Sequence, residues 1–143
     1  MSDERAAWRE QRRQAVDGHA AALEAGRAAE AEKAAVLLAD FVRRATERGL
    51  APTVLSAQSF NGRATYRTRL QGWYLKSNKS VAVGTDGRFY TLTVPSSLRA
   101  RFTGAEVEPS MPRLLIGAGG RDGETMPLAT LLERRLEAGV NWP

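Results

Sequence analysis

The chain has 143 residues, no cysteine and a single histidine, His19. Disulfides, thiolate metal sites, cysteine nucleophiles, histidine-based metal sites and a usual catalytic triad are therefore excluded. The length suits one hydrophobic core and is too short for two, and apolar runs such as Val36 to Ala39 or Leu114 to Ile116 fall far short of a membrane span.

Residues 3–48 are rich in Ala, Glu and Arg and free of proline, the composition of one long helix or two in succession. Ser2 or Asp3 suits the N-cap, no apolar signal core follows the first residues, and a cytoplasmic location is expected. Gly49 and Pro52 end the helix, because glycine tolerates the left-handed C′ conformation and proline cannot continue the ladder. Ala34, Leu37, Leu38, Phe41, Val42 and Ala45 form an apolar stripe that must pack on a core. Upstream only Trp8, Val16 and Leu23 are large and apolar, with Gly18 and Gly26 interrupting, so residues 1–29 read as a helical arm poorly equipped to bury itself.

Four segments of strand character follow: Thr53 to Phe60, Ala64 to Lys76, Ser80 to Thr85, and Phe89 to Val94. The turns Asn61-Gly62, Ser77-Asn78 and Asp86-Gly87 separate them, which predicts a meander over residues 53–94. Gly72 interrupts the second run and is the expected bulge. Ser96 and Ser97 after Pro95 suit the cap of a short helical turn through Phe102. Extended pieces at Ala105 to Glu108 and Arg113 to Ile116 lead to the glycine-rich loop Gly117 to Gly123, and Leu128, Leu131, Leu132 and Leu136 share one face of a closing helix over residues 126–138. The expected fold is α+β: one domain over residues 30–143, in which the helix at 30–48 and the C-terminal helix pack on an antiparallel β-meander of about four to six strands.

The formal charge of +5 comes from 18 Arg and 3 Lys. That ratio, with abundant Ala and Gly, is what GC-rich codons produce without any ligand. The distribution is more telling. Residues 1–48 carry nine basic and nine acidic side chains, residues 49–103 eight basic ones against Asp86 alone, and residues 104–143 four against six. Codon bias does not predict a central segment of net +7. Alternation places Arg63, Arg67, Arg69 and Gln71 on one face of the second strand and turns Phe89 outward in the fourth. With Lys76, Lys79, Arg88 and Trp73, this face suits a phosphate backbone with stacked bases, although a sheet with one solvated face carries much of the same pattern without a partner.

The other motifs carry less. Gly117-Ala118-Gly119 opens a dinucleotide-type pattern, but Asp122 stands where its last glycine belongs. Glu106 and Glu108 share a face with no cleft indicated, and Ser96 and Ser97 lack a histidine base. No catalytic side-chain set and no cofactor is expected. The leading expectation is a non-enzymatic binding protein whose basic β surface meets an anionic partner, nucleic acid among the candidates. The first alternative is an assembly module that docks or self-associates through Trp8, Val16 and Leu23. The second is a small-ligand enzyme using the 117–123 loop.

Overall fold

The computed structural model describes residues 2–117 and 125–142. One uninterrupted helix, α1 (Ser2–Glu47), runs through Gly18 and Gly26. It ends as the sequence indicates. Gly49 takes a φ of 70°, its N–H donates to the Thr46 carbonyl at 3.0 Å, and the Leu50 N–H donates to that of Ala45 at 2.9 Å. These are the two bonds of a Schellman motif, with glycine where φ must be positive.

α1 has two unlike halves. Ala34, Leu38, Phe41 and Ala45 are buried because three- and four-residue spacing brings them to one face. Residues 3–29 are exposed throughout, and a Cβ added at Gly18 or Gly26 would meet nothing within 4 Å. The arm therefore does not fold back on the sheet of its own chain.

The sheet comprises β1 (Thr53–Ser59), β2 (Thr65–Tyr74), β3 (Val81–Gly84), β4 (Phe89–Thr91) and β5 (Thr93–Val94). Their spatial order is β4-β3-β2-β1-β5, antiparallel except that β5 runs parallel to β1. The fourth strand of the expected meander is thus split, and the split is made by one residue. The Leu92 N–H donates to the Ser80 carbonyl at 2.8 Å, while its own carbonyl accepts the Gln58 N–H at 2.7 Å. Leu92 carries the chain from one edge of the sheet to the other, so the sheet rolls up.

A rolled sheet has an inside and an outside, and here both are apolar. Leu55, Tyr74, Ala82, Tyr90 and Leu92 make the inner cluster, with Val107 and Trp142 packed against it. Trp73, Leu75, Val81, Val83 and Phe89 make the outer one, covered by α1 and by the leucines of α3 (Leu128–Ala138). This corrects the expected exposure of Phe89 and Trp73, which are 6% and 2% exposed. Phe89 does face opposite to Tyr90, but the helices lie over that face.

The bulge is also displaced from Gly72. Val54 pairs with Gln71 and Ser56 with Arg67, so Thr68, Arg69 and Leu70 oppose Leu55 alone. The Thr68 hydroxyl fills the gap, donating to the Leu55 carbonyl at 2.6 Å and accepting the Leu70 N–H at 3.1 Å. Two extra residues leave the alternation of faces intact. Gly72 serves close approach instead: a Cβ there would overlap the Val83 carbonyl oxygen.

Past the sheet come α2 (Leu98–Thr103), capped by the Ser97 hydroxyl on the Ala100 N–H, and the small antiparallel pair β6 (Leu115–Ile116) with β7 (Met126–Pro127). The segment Ala105 to Glu108 joins no strand ladder. On α3 the four expected leucines are buried, and so is Arg135. Its Nε donates to the Tyr74 carbonyl at 3.0 Å and its Nη1 to that of Gly139 at 2.9 Å. The guanidinium also lies 4.8 Å from the ring of Trp142, which stacks on Tyr74. Among the described residues no helix is long and apolar enough to cross a membrane.

Phe41 meets Trp73 edge-on at 5.6 Å where α1, α3 and the sheet converge. Phe41→Ala is expected to cost about 3–5 kcal/mol in a urea titration. Val36→Ala, on the exposed side of the same helix, should change stability by less than about 0.5 kcal/mol. Equal losses would contradict this assignment of the core.

Candidate anion-binding surface

The outer face of β2 divides along its length. Trp73 lies beneath the helices, whereas Thr65, Arg67, Arg69 and Gln71, on the same side of the strand, are exposed. The wet half is joined by elements that arrive after Leu92. The Tyr66 hydroxyl accepts the Ser97 N–H at 3.0 Å, fixing the entry to α2. At its exit, the Ala105 N–H donates to the Arg67 carbonyl at 2.7 Å. Gly104, at φ 83°, lies so close that a Cβ would fall 2.8 Å from the same oxygen. Arg99 and Arg101 of α2 are thereby held beside the strand that bears Arg67 and Arg69, and Arg63 sits in the adjoining β1–β2 turn.

Among the described residues, none of these five arginines has an ion pair or a side-chain hydrogen bond. The helices differ. Arg43 bridges Asp40 and Glu47 within α1, and Arg44 pairs with Glu133 across to α3. Glu106 and Glu108 follow α2 and are exposed. The acid of the central segment, Asp86, is occupied: its carboxylate accepts the Tyr90 hydroxyl at 2.6 Å and the Arg88 N–H at 2.9 Å.

The exposed rings at this end are not those the sequence pointed to. Trp73 and Phe89 are buried and cannot stack on an incoming base, whereas Phe60 is 63% and Phe102 88% exposed, with Leu98 one helical turn from Phe102. Phe60 is held at the end of β1 by its N–H on the Val94 carbonyl at 3.1 Å. A signal for both was present: Phe60 abuts the Asn-Gly turn, and Phe102 has only Leu98 as an apolar neighbour at helical spacing.

The remaining cations lie elsewhere. Lys79, at φ 59°, belongs to the β2–β3 turn, with its ammonium 5.5 Å from the ring of Tyr74. Arg88 belongs to the β3–β4 turn, and Lys76 borders a cleft of about 590 Å³ between α1, the β3–β4 pair and residues 110–117. Arg27 and Arg113 also line that cleft, together with Glu30, whose carboxylate accepts the Leu114 N–H at 2.9 Å. The basic residues therefore do not form one track. Of the 117–123 loop, residues 118–123 lie outside the described residues. Among the described residues no cluster of His, Cys, Asp or Glu suits a metal ion.

Burial, then the bond to Asp86, pushes the Tyr90 phenol up to about 12 from its ordinary 10.0. Folding favours the protonated phenol, so its contribution is fully present below pH 10.0 and is lost as pH rises through about 12. Absorbance titration of phenolate should find a late step that Tyr90→Phe removes and Asp86→Asn shifts to lower pH. An unmoved step in Asp86→Asn would refute the coupling. Compared with known proteins, the chain matches no family model, no curated protein and no solved structure.

Proposed function

We propose that this protein is a non-enzymatic nucleic-acid-binding protein that holds single-stranded segments against the β1–β2 end of its rolled sheet. The observation that carries the reading is the set of five arginines, Arg63, Arg67, Arg69, Arg99 and Arg101, unpaired among the described residues and bordered by the exposed rings of Phe60 and Phe102. Guanidinium groups without carboxylate partners keep their full attraction for phosphate. Flat rings beside them accept bases of any sequence, because every base has a π-face. A duplex hides those faces in its stack, which favours single strands.

The roles divide by chemistry. Arg67 and Arg69, projecting from one strand, and Arg99 and Arg101, from the helix beside it, meet the backbone; Phe60 and Phe102 stack. Trp73 and Phe89 have structural roles, and Lys76, Lys79 and Arg88 add a general positive field.

Fluorescence anisotropy with a labelled single-stranded oligonucleotide tests this. Affinity should fall steeply with salt, and the Arg67→Ala, Arg69→Ala double variant should reduce the slope of log K against log salt by about 1.4, two phosphate contacts' worth. Phe102→Ala should weaken binding by about 1–3 kcal/mol. Arg134→Ala, on the exposed side of α3, should change neither. No affinity at low salt, or equal losses in Arg134→Ala, would overturn the proposal.

A further inference from the structure

The geometry of α1 points to a second binding surface of a different kind: we infer that the arms of two copies pair antiparallel, about a two-fold axis between Ala15 and Val16. The first argument is continuity of one stripe. At about 100° per residue, Leu23 lies on the meridian of Phe41 and Val16 lies about 20° from it, among the positions that Ala34, Leu38 and Ala45 bury in the domain. The domain covers that stripe from Glu30 onward. Val16 and Leu23 carry it on, uncovered, at 61% and 49% exposure, with Trp8, 58% exposed and 5.3 Å from the Arg12 guanidinium, about 60° to one side of that meridian.

The second argument is that such a helix needs a partner. Propensity alone leaves an isolated helix marginal in water, and Gly18 and Gly26 each cost about 1 kcal/mol relative to alanine.

The third argument chooses the partner and its direction. Residues 3–29 hold five basic and five acidic side chains, so two arms do not repel through net charge. With the axis between Ala15 and Val16, residue n of one arm faces residue 31 − n of the other by construction. Trp8 then meets Leu23, and Val16 lies within one residue of its own copy, about 1.5 Å along the axis. The charges on the flank that antiparallel helices bring together also match: Glu24 falls within two residues of the level of the partner's Arg9, and Asp17 within one of that of its Arg13. Arg9, Asp17 and Glu24 have no ion pair within their own chain among the described residues. A parallel pair in register would set Arg9 beside Arg9 and Glu24 beside Glu24. The domains, which α1 meets from Glu30 on, lie beyond the paired stretch at opposite ends and do not collide.

Sedimentation analysis of the full chain over a wide concentration range tests the pairing, with circular dichroism confirming that each variant stays folded. A reversible monomer–dimer equilibrium is expected. Leu23→Glu should raise its dissociation constant at least ten-fold. Arg9→Glu and Glu24→Arg should each weaken it, and the double variant should restore it. Because the chain has no cysteine, single cysteines report direction: Val16→Cys should form a disulfide dimer readily and Leu23→Cys should not. A monomer at every concentration overturns the pairing. Ready crosslinking at both positions, or no rescue by the charge swap, overturns the antiparallel register.

Discussion

The architecture depends on what the backbone of Leu92 does. A strand residue normally extends one ladder; this one bonds Ser80 on one side and Gln58 on the other, bringing the two edges of a five-stranded sheet within a residue of each other. The roll-up leaves only the short strands β4 and β5 as edges, which limits further pairing. It also makes an interior that helices need not cover. The inner cluster around Leu55, Tyr74, Tyr90 and Leu92 is filled by the sheet itself, with Val107 and Trp142 closing on it. α1 and α3 are then free to cover only part of the outside. Had β4 run straight on beside β3, the face that carries Tyr90 and Leu92 would have stayed wet, and α2 would have been carried away from β2.

Partial cover is what leaves the arginines bare. Helix packing ends where β2 passes from Trp73 to Gln71, and from there to Thr65 the outward positions hold only polar side chains. The chain supplies carboxylates where it packs helices: Asp40 and Glu47 engage Arg43, and Glu133 binds Arg44 and is itself held below the usual carboxylate range by that bond. Among the described residues none pairs with Arg67 or Arg69, although the exposed Glu106 follows Ala105, whose N–H bonds the Arg67 carbonyl. The bland account of exposed arginine on a sheet, that it merely solvates the surface, predicts scattered counter-charges as well. Their absence between Gly49 and Thr103, apart from an Asp86 already bonded to Tyr90, favours a partner that brings its own negative charge.

Punctuation and periodicity made much of the fold legible. Gly49 and Pro52 located the end of α1, the Asn-Gly and Asp-Gly pairs located hairpins, and the four-leucine face of α3 was correct. What the sequence hid were residues with two roles. Leu92 reads as one more inward strand residue, since nothing in its side chain announces that its N–H and carbonyl serve different strands. Phe89 was misplaced because alternation distinguishes two faces but not which of them is covered, and a sheet buried on both sides carries apolar residues on both. Thr68 concealed the bulge, because a hydroxyl that replaces backbone bonds looks like an ordinary strand threonine, while Gly72 drew attention for a reason that proved to be close packing. Arg135 was overlooked although it falls in register with Leu128, Leu131 and Leu132. A charged residue on an apolar stripe is itself a signal of a guanidinium that ends on carbonyls and an aromatic ring.

The two halves of α1 would let the molecule carry a basic surface and still pair through a helix as proposed. Two copies as positive as the central segment would repel at short range, and the contact is more favourable where charge balances. The bare arm is such a place. From an axis between Ala15 and Val16 to Glu30 is about 15 residues, or roughly 22 Å of helix. Arms paired as proposed would hold the entries to the two domains roughly 45 Å apart, a spacing fixed by helix and not by a flexible tether. Two weak sites at a fixed separation gain apparent affinity only for a ligand long enough to reach both. A polyanion of sufficient length is such a ligand, whereas an isolated nucleotide or a short acidic loop is not. Selection by length rather than sequence is what a surface of arginines and two exposed phenylalanines, with no base-specific contacts of its own, is equipped to deliver.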